Sequence, residues 1–129
     1  MAESASLTFP KRERIVSKKL IEQLFSKGSC QSTSAFPLRA VYMEQKRGGE
    51  PLQVLISVSK RHFKHAVDRN RAKRQIREAY RHHRQLLAGR IPEDKALAIA
   101  FIWLSDEHCD SRRVEKSVVK LLGKVAESL

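Results

Sequence analysis

The chain has 129 residues, enough for one domain with a modest core, and 41% of them are hydrophobic. Twenty-six Lys and Arg against fourteen Asp and Glu give a net charge of +12, so a polyanionic partner is the natural expectation. Two cysteines without a CxxC pair exclude a disulfide scaffold or zinc knuckle, and no apolar run approaches the roughly 20 residues that cross a bilayer. With no basic n-region or apolar h-region at its start, the chain reads as cytoplasmic rather than secreted.

Residues 1–10 are small and polar and read as a loose tail; residues 11–129 read as a single domain. Ser17 is a candidate N-cap for a helix over 18–27, where Leu20, Ile21, Leu24 and Phe25 recur at helical spacing before Gly28. Ser29 to Ser34 reads as a polar loop. Ala35 to Met43 places Phe36, Leu38, Ala40 and Tyr42 on alternate positions, a strand pattern, with Pro37 suited to an edge or a first residue. Lys46-Arg47-Gly48-Gly49 reads as a turn into a second alternating run, Leu52, Val54, Ile56 and Val58. The two runs are expected to pair as an antiparallel hairpin.

Asp68 is a candidate cap for a long helix from about Arg69 to Leu87, closed near Gly89 and Pro92. Ala96 to Leu104 is apolar at nearly every position and reads as a strand buried on both faces. Asp110 or Ser111 caps a last helix whose Val114, Val118, Leu121, Leu122 and Val125 form one core-facing stripe. The order αββαβα predicts an α+β fold, a two-layer sandwich with a small sheet.

Lys60 to Arg90 carries eleven basic residues against Asp68 and Glu78, a net +9 of the total +12. At about 100° per residue, Asn70, Arg74, Arg77, Arg81 and Arg84 share one stripe, with Ala72, Ile76, Ala79, His83 and Leu87 nearly opposite. Exposed helix faces normally mix signs, which limits self-repulsion. An acid-free row of guanidinium groups costs the free protein stability, and phosphates offset that cost. A lone HxxH at His62 and His65 lacks the further ligands a metal site needs. No spacing of acids suggests a paired hydrolytic centre.

The segment Ser57 to Arg81, SVSKRHFKHAVDRNRAKRQIREAYR, closely resembles the signature of the bacterial ribonuclease P protein component. Its core is Arg69-Asn70-Arg71, Lys73-Arg74, Ile76-Arg77 and Tyr80. Lys11-Arg12-Glu13-Arg14-Ile15 and Leu24-Phe25-Ser26-Lys27-Gly28 are similar to the family's N-terminal pattern, so the likeness covers roughly residues 10–125.

The resemblance implies a protein that joins a catalytic RNA subunit in removing the 5′ leader of precursor tRNA, with magnesium held mainly by the RNA. It implies no catalytic residue in the protein, no membrane and no obligate protein partner. Carried onto this sequence, the RNA-facing set is Lys60, Arg61, Arg69, Asn70, Arg71, Lys73, Arg74, Arg77 and Arg81. A leader-binding cleft is implied at Arg14, Ile21, Phe25, Phe36 and Arg39; Ile21 and Arg39 stand where the family often has aromatics. Phe36 has two open readings, a base-stacking ring or a core residue. The resemblance further implies a mixed sheet with a left-handed βαβ crossover. The alternative on composition is a ribosomal-type or RNA-chaperone protein, and the more distant one a self-sufficient nuclease.

Overall fold

The computed structural model describes Glu22, residues 31–46 and residues 51–129. The expected tail, the helix over 18–27, the turn residues 47–49 and the implied cleft residues Arg14, Ile21 and Phe25 lie outside the described residues.

Among the described residues from 31 on, seven elements follow in order: β1 Gln31–Ala35, β2 Leu38–Lys46, β3 Leu52–Ser57, α1 Ala66–His83, the single turn α2 Gln85–Ala88, β4 Lys95–Trp103 and α3 Ser111–Glu127. The four strands form one mixed sheet in the order β1-β2-β4-β3. β4 is the strand whose sequence is apolar throughout, and eight of its nine residues are buried or nearly so. A strand with no polar face needs neighbours along both edges and cover on both faces. It takes β2 antiparallel on one side, Leu38 opposite Trp103, and β3 parallel on the other, Leu52 opposite Leu97.

This overturns the expected hairpin between the runs at 35–43 and 52–58. They are separated in the sheet by β4, and α1 is the crossover of a β3–α1–β4 unit. The hairpin partner of β2 is β1 instead, with Ser34 opposite Arg39 and Gln31 opposite Tyr42. The segment read as a polar loop is thus an edge strand, which needs no apolar alternation because little of it is buried. Phe36 and Pro37 form the turn between β1 and β2, joined by a cis peptide, so the second strand starts at Leu38 rather than Ala35.

One sheet face carries the core. Leu38, Ala40, Tyr42, Leu52, Val54, Leu97, Ile99, Phe101 and Trp103 meet Ala72, Ile76, Ala79 and Tyr80 of α1 and Val114, Val118, Leu121, Leu122 and Val125 of α3. Burying each large side chain contributes about 1.5–3 kcal/mol, so this layer holds both helices at fixed azimuth. The expected stripe of α3 is entirely buried, and Asp110 caps the helix by accepting from the Arg112 backbone N–H. Tyr42 Oη lies 3.1 Å from Gln31 Oε1 and 3.0 Å from Ser128 Oγ, tying β1 and β2 to the end of α3.

Candidate nucleic-acid interface

The basic segment begins in the loop between β3 and α1. The N–H groups of His62 and Phe63 donate to the Ser59 carbonyl at 3.1 and 3.3 Å, and the Arg61 N–H to Ser59 Oγ at 3.1 Å. Phe63 is buried and stacks on His108, with centroids 4.4 Å apart. An apolar anchor inside a hydrogen-bonded turn fixes the loop while Lys60, Arg61 and Lys64 stay exposed.

Two imidazole–carboxylate contacts join this region to the loop after β4. His62 Nδ1 sits 2.7 Å from Asp106 Oδ1, and His108 Nε2 sits 3.1 Å from Asp68 Oδ1. Asp68 is therefore not the N-cap. The helix starts at Ala66, His65 occupies the cap position without a side-chain cap bond, and Asp68 lies in the first turn.

Arg69 has a different task from its neighbours. Its guanidinium donates to the carbonyls of Phe63 and Lys64, both at 2.9 Å. It pins the loop to the helix and satisfies two backbone acceptors that the turn leaves over.

Along α1 the apolar side is Ala72, Ile76, Ala79 and Tyr80, all buried. Asn70, Arg71, Arg74 and Arg77 are exposed, and Lys73 is half-buried. The cationic row thus stands clear of the core, as the spacing predicts. The structure corrects it at two positions, Arg84, which is the half-buried C-cap residue beyond the helix, and Arg81. Arg81 Nη2 donates to Glu78 Oε2 at 2.5 Å, one turn earlier, and the pair has 31% and 54% of its side chains exposed. That hydrogen bond, with the charges of Arg81, His82 and Arg77, holds the Glu78 carboxyl below its ordinary range. Arg81 is thereby partly neutralised, and the open row runs from Asn70 to Arg77. The helix also ends earlier than expected, at His83, and resumes as the single turn Gln85–Ala88.

On the far side of α1, Gln75 Nε2 donates to the Cys109 carbonyl at 2.8 Å and to Ser111 Oγ at 3.1 Å, and His83 Nε2 lies 3.3 Å from Glu115 Oε2. These contacts to α3 and to the residue before its cap lock the helix in rotation. They keep Arg74 and Arg77 aimed outward.

Of the described cleft residues, Phe36 is 56% exposed, so it is not a core residue, and Arg39 is exposed on β2 with its guanidinium 3.4 Å from Ser32 Oγ. Sequence reasoning missed Arg113, whose guanidinium carbon lies 5.2 Å from the Phe36 ring centroid. Among the described residues, no group of three or more His, Cys, Asp or Glu side chains converges to hold a metal ion. None of their helices is long and apolar enough to cross a membrane.

The family model of ribonuclease P matches residues 9–126. A ribonuclease P protein component of Porphyromonas gingivalis is 37% identical over 128 residues, covering 98% of this chain and 92% of the relative. The chain belongs to the ribonuclease P protein family. Membership makes it a protein component of ribonuclease P and places it in tRNA processing. A second relative, the protein component of Chlorobium phaeobacteroides, is 40% identical over 82 residues, spanning 60% of this chain and 54% of its own. The solved RNase P protein of Thermotoga maritima shares the fold, with a TM-score of 0.66 at 24% identity over 88% of this chain and 97% of that one.

Proposed function

We propose that this ribonuclease P protein binds the catalytic RNA subunit through α1 and the loop before it, and receives the 5′ leader of precursor tRNA near Phe36 and Arg39. The observation that carries the reading is the exposed row Asn70, Arg71, Arg74 and Arg77 on a helix whose opposite side is fully buried. Guanidinium groups held rigid on one face meet a phosphate backbone without reorganising, and their mutual repulsion is relieved when they do. Lys60, Arg61 and Lys73 extend the field, and Arg69 acts through the loop it pins. In this reading magnesium is held by the RNA subunit. The protein's part is to bind, to neutralise and to hold the leader while the RNA cleaves. The site of action is the cytoplasm, where precursor tRNA is made.

The test is reconstitution. The chain should bind its cognate RNA subunit and lower the magnesium concentration needed for leader removal. A chain that does neither refutes the reading. Cleavage by protein freed of all RNA would point to a nuclease in its own right.

A further inference from the structure

A second cationic row lies on α3. At about 100° per residue, Arg113, Lys116, Lys120 and Lys124 fall within one stripe. All four are exposed. Among the described residues, none of them is in an ion pair. Of the two acids of this helix, Glu115 faces the other way, toward His83 of α1, and Glu127 shares the stripe only at its last residue, beyond Lys124. The row therefore borders the β1 edge of the molecule, across α3 from the row on α1.

Its two ends are fixed against β1 and the turn that follows it. Lys124 Nζ donates to the Ser34 carbonyl at 3.0 Å, and Arg113 lies over the exposed ring of Phe36. Ser117 Oγ, between them, donates to the Ala35 carbonyl. β1 is an edge strand with the sequence Gln-Ser-Thr-Ser-Ala. The cations thus run beside a hydroxyl-rich edge and end at an aromatic face capped by a guanidinium. Eleven residues of helix separate Arg113 from Lys124, about 16 Å of rise, enough for several backbone phosphates.

We propose that this face binds single-stranded RNA, and that its occupant is the part of the 5′ leader beyond the nucleotides at Phe36. This rests on the reading that the chain receives precursor tRNA. The row supplies charge complementarity without sequence choice. The Phe36–Arg113 pair supplies a stacking surface that only an unpaired base reaches. A duplex hides its base faces, so the aromatic end favours a single strand over the folded RNA subunit.

The experiment uses the holoenzyme with precursor tRNAs of short and long leader, and the double variant K116A/K120A. Both lysines are exposed and outside the core, so folding is retained. Long-leader affinity should fall roughly three- to tenfold, and its salt slope should shrink by about 1.4, since each phosphate contact on a single strand contributes about 0.7. Short-leader affinity and affinity for the RNA subunit should keep their wild-type values. R113K should keep the charge yet lose part of the long-leader affinity, because an ammonium does not stack as a guanidinium does. Equal losses for both leaders in K116A/K120A, weaker binding of the RNA subunit by it, or no change in any of these overturns the proposal. A wild-type holoenzyme that binds precursor no better than mature tRNA sinks the underlying leader reading instead.

Discussion

Removing Arg74 and Arg77 together isolates the electrostatic claim. Both side chains are exposed, project from the face opposite Ala72, Ile76 and Ala79, and form no ion pair among the described residues. Truncating them to alanine removes two cations and no core contact, so stability should change by less than about 0.5 kcal/mol. If each guanidinium displaces one condensed counterion on binding, the slope of log affinity against log salt should fall by about 0.7–0.9 per residue, or roughly 1.4–1.8 for the pair. Between 50 and 200 mM salt the wild type would then lose about sevenfold to twelvefold more affinity than the variant, figures that follow from that slope. The assay is equilibrium binding to the RNA subunit over a salt series, with thermal melting as the folding control. An unchanged slope at unchanged stability would refute phosphate binding by this face.

Arg69→Ala should behave differently, because Arg69 satisfies the Phe63 and Lys64 carbonyls. It should lower the melting temperature, at a cost of about 1–3 kcal/mol for lost charged hydrogen bonds, whereas Arg74→Ala should not. Glu78→Gln should free Arg81 and steepen the salt slope by up to about 0.9; binding that is flatter or unaltered would show that Arg81 is not near phosphate. Because the Glu78 carboxyl is held below its ordinary range in the folded state, its contribution to stability is present above the unfolded value and fades as pH falls through the folded one. Phe36→Ala should weaken precursor binding more than mature tRNA binding in the same holoenzyme; equal losses would remove Phe36 from the leader path.

The parts of the fold that showed in the sequence are those where burial leaves a period. β4 is apolar on both faces, and the stripe of α3 repeats at helical spacing behind an aspartate cap, so both could be placed closely. β1 could not, because a Gln-Ser-Thr-Ser edge strand buries too little to impose alternation. The pairing of the 52–57 run failed for another reason. A hairpin is the default for neighbouring strands, and only the demand of β4 for two partners inserts it between them.

The candidate site divides the same way. The exposed row on α1 follows from composition and angle. Its interruption at Arg81 depended on a rotamer that lets Glu78 reach forward one turn, and the role of Arg69 depended on where the preceding loop leaves its carbonyls. Neither is a property of spacing. The spacing of 113, 116, 120 and 124 by itself singles out no site; the row acquires a meaning only from the packing that sets it against β1 and Phe36.

The most direct test of the central claim is chemical footprinting of arginine side chains, read by mass spectrometry, with and without the RNA subunit. The account predicts that Arg71, Arg74 and Arg77 react freely in the protein alone and are shielded in the complex. Equal reactivity of these three in both states, in a complex shown to have formed, would contradict it.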